Sequence, residues 1–209
     1  MSDQVQRTEE WFAARLGKVT ASRVADVITR TKTGYGASRA NYMAQLICER
    51  LTGKQGETYQ NAAMAWGTEQ EPFARGAYEA RTGLLVEETG FVPHPTITMA
   101  GASPDGLIGD HGLVEIKCPN TATHIETLMS DTVPGKYETQ MQWQMACTDR
   151  KWCDFVSYDP RMPSHMQLFI FRVHRNTETI IELEREVEKF LSELDQKIVT
   201  LTKLYKEEV

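Results

Sequence analysis

The chain has 209 residues, 41% of them hydrophobic and 25% charged, a balance that fits a water-soluble globular domain and excludes disordered and collagen-like chains. No apolar run approaches the roughly 20 residues that span a bilayer, and Met1-Ser2-Asp3-Gln4 opens no signal-peptide core. A cytoplasmic protein of one domain, residues 1–209, without a membrane partner is therefore expected. The net charge of -6 excludes a uniformly basic nucleic-acid binder but not a local basic surface: Arg15, Lys18, Arg23, Arg30, Lys32 and Arg39 face only Asp26 in their stretch, while Glu dominates Glu178 to Asp195.

In chain order, Val24, Val27 and Ile28 at helical spacing predict a helix over about Thr20 to Arg30. Tyr42, Leu46, Ile47 and Leu51 ahead of Gly53 predict another over Ser38 to Thr52. Between them Thr31 to Gly36 reads as a flexible basic loop. Asn61 to Arg81 is helical in pattern, but Gly67 and Pro72 predict a break: a short helix to Trp66, then a second with Pro72 in its first turn. Strands are expected at about Leu84–Val92, Thr96–Ala100 and Leu113–Cys118, then helices at Thr123–Met129 and Tyr137–Cys147, then strands at Cys153–Tyr158 and Met166–Val173. Thr177 to Tyr205 carries Ile180, Leu183, Val187, Phe190, Leu194, Ile198 and Leu201 on one stripe and is a packing helix. Cys48, Cys118, Cys147 and Cys153 lack the spacing of a zinc or iron-sulfur site and are expected as free thiols.

The segment that carries chemistry is Ser103-Pro104-Asp105-Gly106-Leu107, followed by Glu115-Ile116-Lys117. Asp105 lies in a Pro-Gly turn, and Gly112 to Cys118 reads as an alternating strand, so Glu115 and Lys117 share one face while Ile116 points to the apolar side. Two hard carboxylate ligands on neighbouring strands, with the Ile116 carbonyl, suit Mg²⁺ and leave positions for a phosphate. A lysine beside them can act on a water or balance growing charge, the outline of metal-assisted phosphoryl transfer. A β-hairpin with a turn aspartate and a strand ion pair explains the same residues without chemistry.

Four segments stand in fixed order: Arg15-Leu16-Gly17-Lys18-Val19-Thr20-Ala21-Ser22, Ala65-Trp66-Gly67-Thr68-Glu69-Gln70-Glu71, Asp105 to Lys117 with Cys118-Pro119, and Tyr158-Asp159-Pro160-Arg161-Met162. In them the sequence resembles the lambda-exonuclease-type family of viral recombination exonucleases, of the PD-(D/E)xK nuclease superfamily, over nearly its whole length. The resemblance implies an α/β fold with a restriction-endonuclease-like core, a central mixed β-sheet flanked by α-helices. It also implies a Mg²⁺-dependent enzyme that degrades one strand of linear double-stranded DNA 5′-to-3′ from a phosphorylated end. Mononucleotides would be released, leaving a 3′ single strand for recombination by strand annealing.

Residue by residue, the resemblance implies Asp105 and Glu115 as metal ligands, Glu71 in support of a second metal, and Lys117 orienting or activating the attacking water. Gln140 is the glutamine supplied by the following helix, and Gln144 stands where relatives often carry tyrosine. Arg15, Ser22 and Ser103 match positions that bind a 5′-terminal phosphate, Lys32 falls in the DNA channel, and Met64 falls where an apolar side chain wedges between strands. Two Mg²⁺ per site with Mn²⁺ as substitute, a ring-shaped homotrimer, a single-strand annealing protein as partner, and a phage or prophage gene in a bacterial host complete the expectation. Taken alone, Ser22 reads as a helix cap, Ser103 as a turn residue, Glu71 as a helix-start acid and Met64 as a core methionine. The alternatives are an endonuclease on the same core and a non-catalytic DNA-end-binding module, the latter disfavoured by Asp105, Glu115 and Lys117 occurring together.

Overall fold

The structure is a computed structural model that describes residues 6–56 and 62–205; Met1 to Gln4 and Asn61, which figure in the expectations above, lie outside the described residues. Its centre is β7 (Gly112–Lys117), buried along most of its length. β7 pairs antiparallel with β6 (Gly106–Ile108) and parallel with β8 (Trp152–Tyr158), which pairs antiparallel with β9 (Leu168–His174), giving a mixed sheet in the order β6-β7-β8-β9. Because side chains alternate along a strand, Val114 and Ile116 join Val156 and Tyr158 against Ala74 and Tyr78 of α4 (Ala62–Thr82). On the other face Leu113, Cys153, Phe155 and Phe169 pack on Met141 and Met145 of α6 (Gly135–Thr148). A fully buried side chain such as Leu113 or Val156 contributes about 1.5–3 kcal/mol. Helices on both faces of a mixed sheet are the expected α/β arrangement.

A smaller sheet holds β1 (Val19–Thr20), β5 (Ala100–Ala102) and β4 (Val92–Pro93), with β5 parallel to β1 and antiparallel to β4. Its core joins α2 (Val24–Ile28), α3 (Ala37–Thr52), Trp143 and the apolar stripe of α7 (Thr177–Leu204). Ile180, Leu183, Val187, Phe190 and Leu194 of that stripe are buried, as their spacing predicts. Ser103-Pro104-Asp105 is the link from β5 of the small sheet to β6 of the large one, so the motif aspartate stands where the two sheets meet. The cysteines are free, Cys48 exposed and the others buried. Among the described residues no helix is long and apolar enough to cross a membrane.

Several local expectations are corrected. α4 is one continuous helix through Gly67 and Pro72. Interior proline costs a helix about 3 kcal/mol, and here Ala74 and Tyr78 lock the following turns onto the sheet while Gly83, at φ 72°, ends the helix through its N–H on Glu79 O. Thr31 to Gly36 forms a hairpin, β2 (Arg30–Thr31) with β3 (Gly34–Tyr35), instead of a loose loop. Acidic α7 holds it: Arg30 pairs with Glu186 at 2.9 Å and the Tyr35 hydroxyl donates to Glu186 at 2.6 Å. The same acids draw in Arg39, which is buried against Glu193 at 2.6 Å, and Arg23 is paired with Asp26, so half of the basic stretch serves ion pairs in place of a DNA surface.

The strand expected over Leu84 to Val92 shrinks to a single bridge, Glu87 to Leu107, and the two residues of β4. That expected over Thr96 to Ala100 begins only at Ala100, because His94 Nδ1 accepts from the Thr96 and Ile97 N–H groups and folds them into a turn. Three strands and helices carry no expectation at all: β1, β6, and α1 (Glu9–Arg15), whose start is capped by Thr8 accepting from Trp11 N. α5 (Thr121–Ser130), capped by Asn120, lies close to its expected span.

Candidate active site

Glu115 and Lys117 point from β7 toward α6, as the alternation predicts. Glu115 is fully buried, and such a carboxylate is tolerated only when its oxygens are satisfied. Gln140 donates to Oε1 and Gln144 to Oε2, each at 2.6 Å, while Lys117 Nζ contacts Oε1. The two glutamines reach one carboxylate because residues four apart share a helix face. Gln144 is thus part of the site, a role that its i,i+4 spacing from Gln140 could have revealed. An aromatic ring is also present, about two turns before the position of the family tyrosine: Lys117 Nζ sits 5.3 Å from the ring centre of Tyr137.

Asp105 Oδ2 accepts the Ile116 N–H at 2.7 Å. β6 has ended by then, since its last pair is Gly106 with Val114. The N–H and C=O of a strand residue point to the same edge, so the Ile116 carbonyl is directed to the Asp105 side. Burial, then the charges of Glu115 and Glu71, push the Asp105 carboxyl up to about 8, against the pull of Lys117 and the Ile116 N–H. Burial lowers the Lys117 ammonium, but the Glu115 and Asp105 carboxylates more than offset it and hold Lys117 above the ordinary lysine range.

Glu71 projects inward from α4 while Glu69 is exposed, as expected for residues two apart. Its carboxylate is held by Arg7 at 2.7 Å and Arg75 at 3.5 Å. Among the described residues no three His, Cys, Asp or Glu side chains converge as a ready metal cage. The oxygen donors that do meet are Asp105, Glu115 and the Ile116 carbonyl, with Glu71 acting on Asp105 through its charge. This set fits a hard divalent cation, because added positive charge relieves the repulsion that lifts Asp105.

Arg15 and Ser103 meet directly: Arg15 Nη1 donates to Ser103 Oγ at 3.0 Å, and so does Trp11 Nε1. The Arg15 guanidinium lies 4.1 Å from the centre of the Trp11 ring. Burial lowers its pKa to about 10, with Tyr42 and Glu49 opposing. Trp11 and α1 were unmarked in the sequence because a seven-residue helix with no buried residue has no periodic core stripe. Ser22 is exposed in a 3₁₀ turn, Ala21–Arg23, and makes no hydrogen bond to Arg15 or Ser103; Thr20, not Ser22, holds the N-cap position, without a side-chain hydrogen bond. Lys32 is exposed at the tip of the β2–β3 hairpin, and Met64 is half exposed on α4.

A mixed sheet with an acid pair and a lysine at the end of its central strand defines a nuclease-type site of the restriction-endonuclease-like class. The profile of the YqaJ-like viral recombinase domain matches residues 10–151, and the chain belongs to that family. The structure is similar to that of an alkaline exonuclease (LHK-Exo) from Laribacter hongkongensis, at 59% identity and TM-score 0.88, covering 94% of this chain and 97% of that one. A structure of LHK-Exo in complex with dAMP matches with TM-score 0.89 over the same shares, again at 59% identity. A phage related exonuclease from Haemophilus somnus 129PT, at 16% identity and TM-score 0.73 over 88% of this chain and 96% of that one, shows the same fold. No curated protein matches.

Proposed function

We propose that this chain is a Mg²⁺-dependent exonuclease that degrades one strand of linear double-stranded DNA from a 5′-phosphorylated end. The observation that carries the reading is the half-buried Arg15 cation, which forms no salt bridge among the described residues. Its guanidinium is fixed on Ser103, two residues from Asp105. A half-buried guanidinium that no carboxylate contacts directly suits an anion. A terminal phosphate supplies a dianion that an arginine fork matches. The 59% identity to an alkaline exonuclease, and the nucleoside monophosphate in one of its complexes, support the same substrate class.

Asp105, Glu115 and the Ile116 carbonyl would hold Mg²⁺, with Mn²⁺ as substitute. Glu71 would serve a second ion once Arg7 and Arg75 release it. Bound there, the ions would supply Lewis-acid stabilisation of the attacking and leaving oxygens. Gln140 and Gln144 fix both oxygens of Glu115, so the ligand is oriented before the strand arrives. Lys117 remains an ammonium into alkaline solution; it orients the water and balances charge on the phosphoryl oxygens, and is not the group that takes up the proton. Water oxygen bonds to phosphorus, the P–O3′ bond breaks, and the proton given up by the water to solvent is balanced by one taken up by the leaving O3′. The released nucleotide keeps its 5′-phosphate, and the shortened strand begins with a new one, regenerating the group that Arg15 and Ser103 recognise. The reading further includes Lys32 and Met64 along the duplex, Ser22 at the end phosphate, a homotrimeric ring that retains the DNA, and a single-strand annealing partner for the 3′ strand.

The test is a time course on linear duplex with each strand labelled separately, comparing 5′-phosphate with 5′-hydroxyl ends in Mg²⁺ or EDTA. Loss of the 5′-phosphorylated strand alone, only in Mg²⁺, is expected. Equal digestion of both strands from a single phosphorylated end would sink the polarity, and activity in EDTA the metal requirement. Cleavage of covalently closed circles would establish the endonuclease instead.

A further inference from the structure

The Tyr158-to-Met162 segment finds no place in the chemistry above, yet the structure builds an unusual arginine there. Asp159 is fully buried and accepts three times from Arg161: from Nε at 2.7 Å, from Nη2 at 3.0 Å and from the backbone N–H at 3.0 Å. Arg161 Nη2 also donates to the Pro119 carbonyl at 3.1 Å, and the guanidinium lies 4.6 Å from the centre of the Trp66 ring. A guanidinium has five N–H groups. The Nε and Nη2 groups are engaged, and the two on Nη1 have no partner among the described residues, in a side chain that stays 46% exposed.

Its anchors place it at the rim of the active site. Pro119 is two residues past Lys117, ~7 Å along extended chain. Trp66 is five residues before Glu71, ~7.5 Å along α4. Arg161 therefore ties together the ends of the two elements that deliver Lys117 and Glu71. The cations that touch the acidic residues are committed to them: Arg7 and Arg75 to Glu71, and Lys117 to Glu115. A strand passing this acidic site needs a donor that is still open, and successive phosphates of one strand recur every ~3.4 Å of helix axis. We propose that Arg161 is a rigid clamp whose Nη1 edge binds an internal phosphodiester next to the one that is cut. The Asp159 fork and the Trp66 stack hold the guanidinium in place before DNA arrives, so little side-chain freedom is lost on binding. Because Asp159 offsets part of its charge, the contact acts through directed N–H groups as much as through net charge.

This inference rests on the DNA-strand reading above. The experiment measures binding of linear duplexes carrying one neutral methylphosphonate linkage at successive positions inward from the 5′ end, with Ca²⁺ in place of Mg²⁺. Wild type is compared with Arg161→Gln, Arg161→Lys and the double variant Asp159→Asn/Arg161→Gln, which restores a neutral hydrogen-bonded pair if the single glutamine destabilises the loop. Expected is about tenfold weaker binding for Arg161→Gln, a salt slope reduced by up to about one, and one internal linkage whose neutralisation weakens wild type but neither glutamine variant. The effect is the same for 5′-phosphate and 5′-hydroxyl ends. Identical linkage profiles in wild type and folded variants would overturn the clamp, as would an effect confined to 5′-phosphate ends. Failure of wild type to bind any duplex would overturn the nuclease reading and the clamp with it, and differs by showing in every arm.

Discussion

Replacing Asp105 by Asn should make the metal-free protein more stable in alkaline solution while removing its response to Mg²⁺. The sign follows from the direction of the shift. Burial and the Glu115 and Glu71 charges raise the folded-state value from 3.8 to about 8. Ionising Asp105 therefore costs folding free energy. The cost is absent below the unfolded value, grows as pH rises toward the folded one, and is constant above it. At ~1.4 kcal/mol per tenfold change the upper limit is ~6 kcal/mol. Asp105 keeps part of its surface in water, and screening reduces this to ~2–3 kcal/mol. Asn retains an oxygen for the Ile116 N–H, so that hydrogen bond survives. At ~2–4 °C per kcal/mol for a chain of this size, Asp105→Asn should melt ~5–10 °C above wild type in EDTA near pH 8.5 and level with it near pH 4. Mg²⁺ at about 100 times Kd should close the gap, since binding adds ~2.7 kcal/mol to the wild type alone. Scanning calorimetry across pH with and without Mg²⁺ decides it. A difference that ignores pH, or a variant that melts lower in EDTA near pH 8.5, would refute the reasoning.

The same shift predicts that Mg²⁺ binding tightens as pH rises toward 8 and releases up to about one proton, which calorimetry in two buffers of different ionisation enthalpy measures; a proton count of zero at neutral pH would contradict it. Lys117→Ala should keep its fold and lose turnover by ~10²-fold or more. With the Lys117 charge gone, Asp105 moves higher still, so metal binding at neutral pH should weaken, and unchanged turnover would remove Lys117 from the mechanism. Gln144→Ala leaves one oxygen of fully buried Glu115 without its donor and should cost ~1–3 kcal/mol of stability in urea unfolding; a cost no larger than that of an exposed glutamine would mean water replaces the amide. Ser103→Ala strips the acceptor from Arg15 and Trp11, and the ratio of rates on 5′-phosphate over 5′-hydroxyl ends should fall while calorimetric Mg²⁺ binding stays unchanged.

Where physics acts along the chain, the sequence was legible. Alternation in β7 placed Glu115 and Lys117 together and sent Ile116 to the other face, and the stripe on α7 named five of its six buried side chains, missing Leu191 and including the exposed Leu201. What stayed hidden depends on partners distant in sequence. Pro72 looks like a break until Ala74 and Tyr78 are seen docked on β7 and β8, and Arg39 looks like a DNA contact until α7 brings Glu193 to it. Very short elements were missed for a related reason: β6 has three residues and α1 seven, too few for a period to register, yet β6 holds Asp105 in place and α1 delivers Trp11 and Arg15. Gln144 failed differently, since its spacing was visible and only comparison with a tyrosine hid its part.

The link Ser103-Pro104-Asp105 joins recognition to cutting through covalent structure. Ser103 Oγ already accepts two hydrogen bonds, from Trp11 and Arg15, which use both lone pairs of a hydroxyl. Its own O–H must therefore point elsewhere, toward an acceptor that the described residues do not provide. In the reading proposed above, a phosphate oxygen seated on Arg15 would satisfy it. Two residues on, Asp105 is pinned by the Ile116 N–H on the strand that carries Glu115 and Lys117. Proline between them fixes one backbone angle, so the spacing from the end pocket to the metal ligands is held by three residues of chain. On the proposed reading, such an enzyme would remove a fixed length from the strand because a bound end and the acid pair could not move independently.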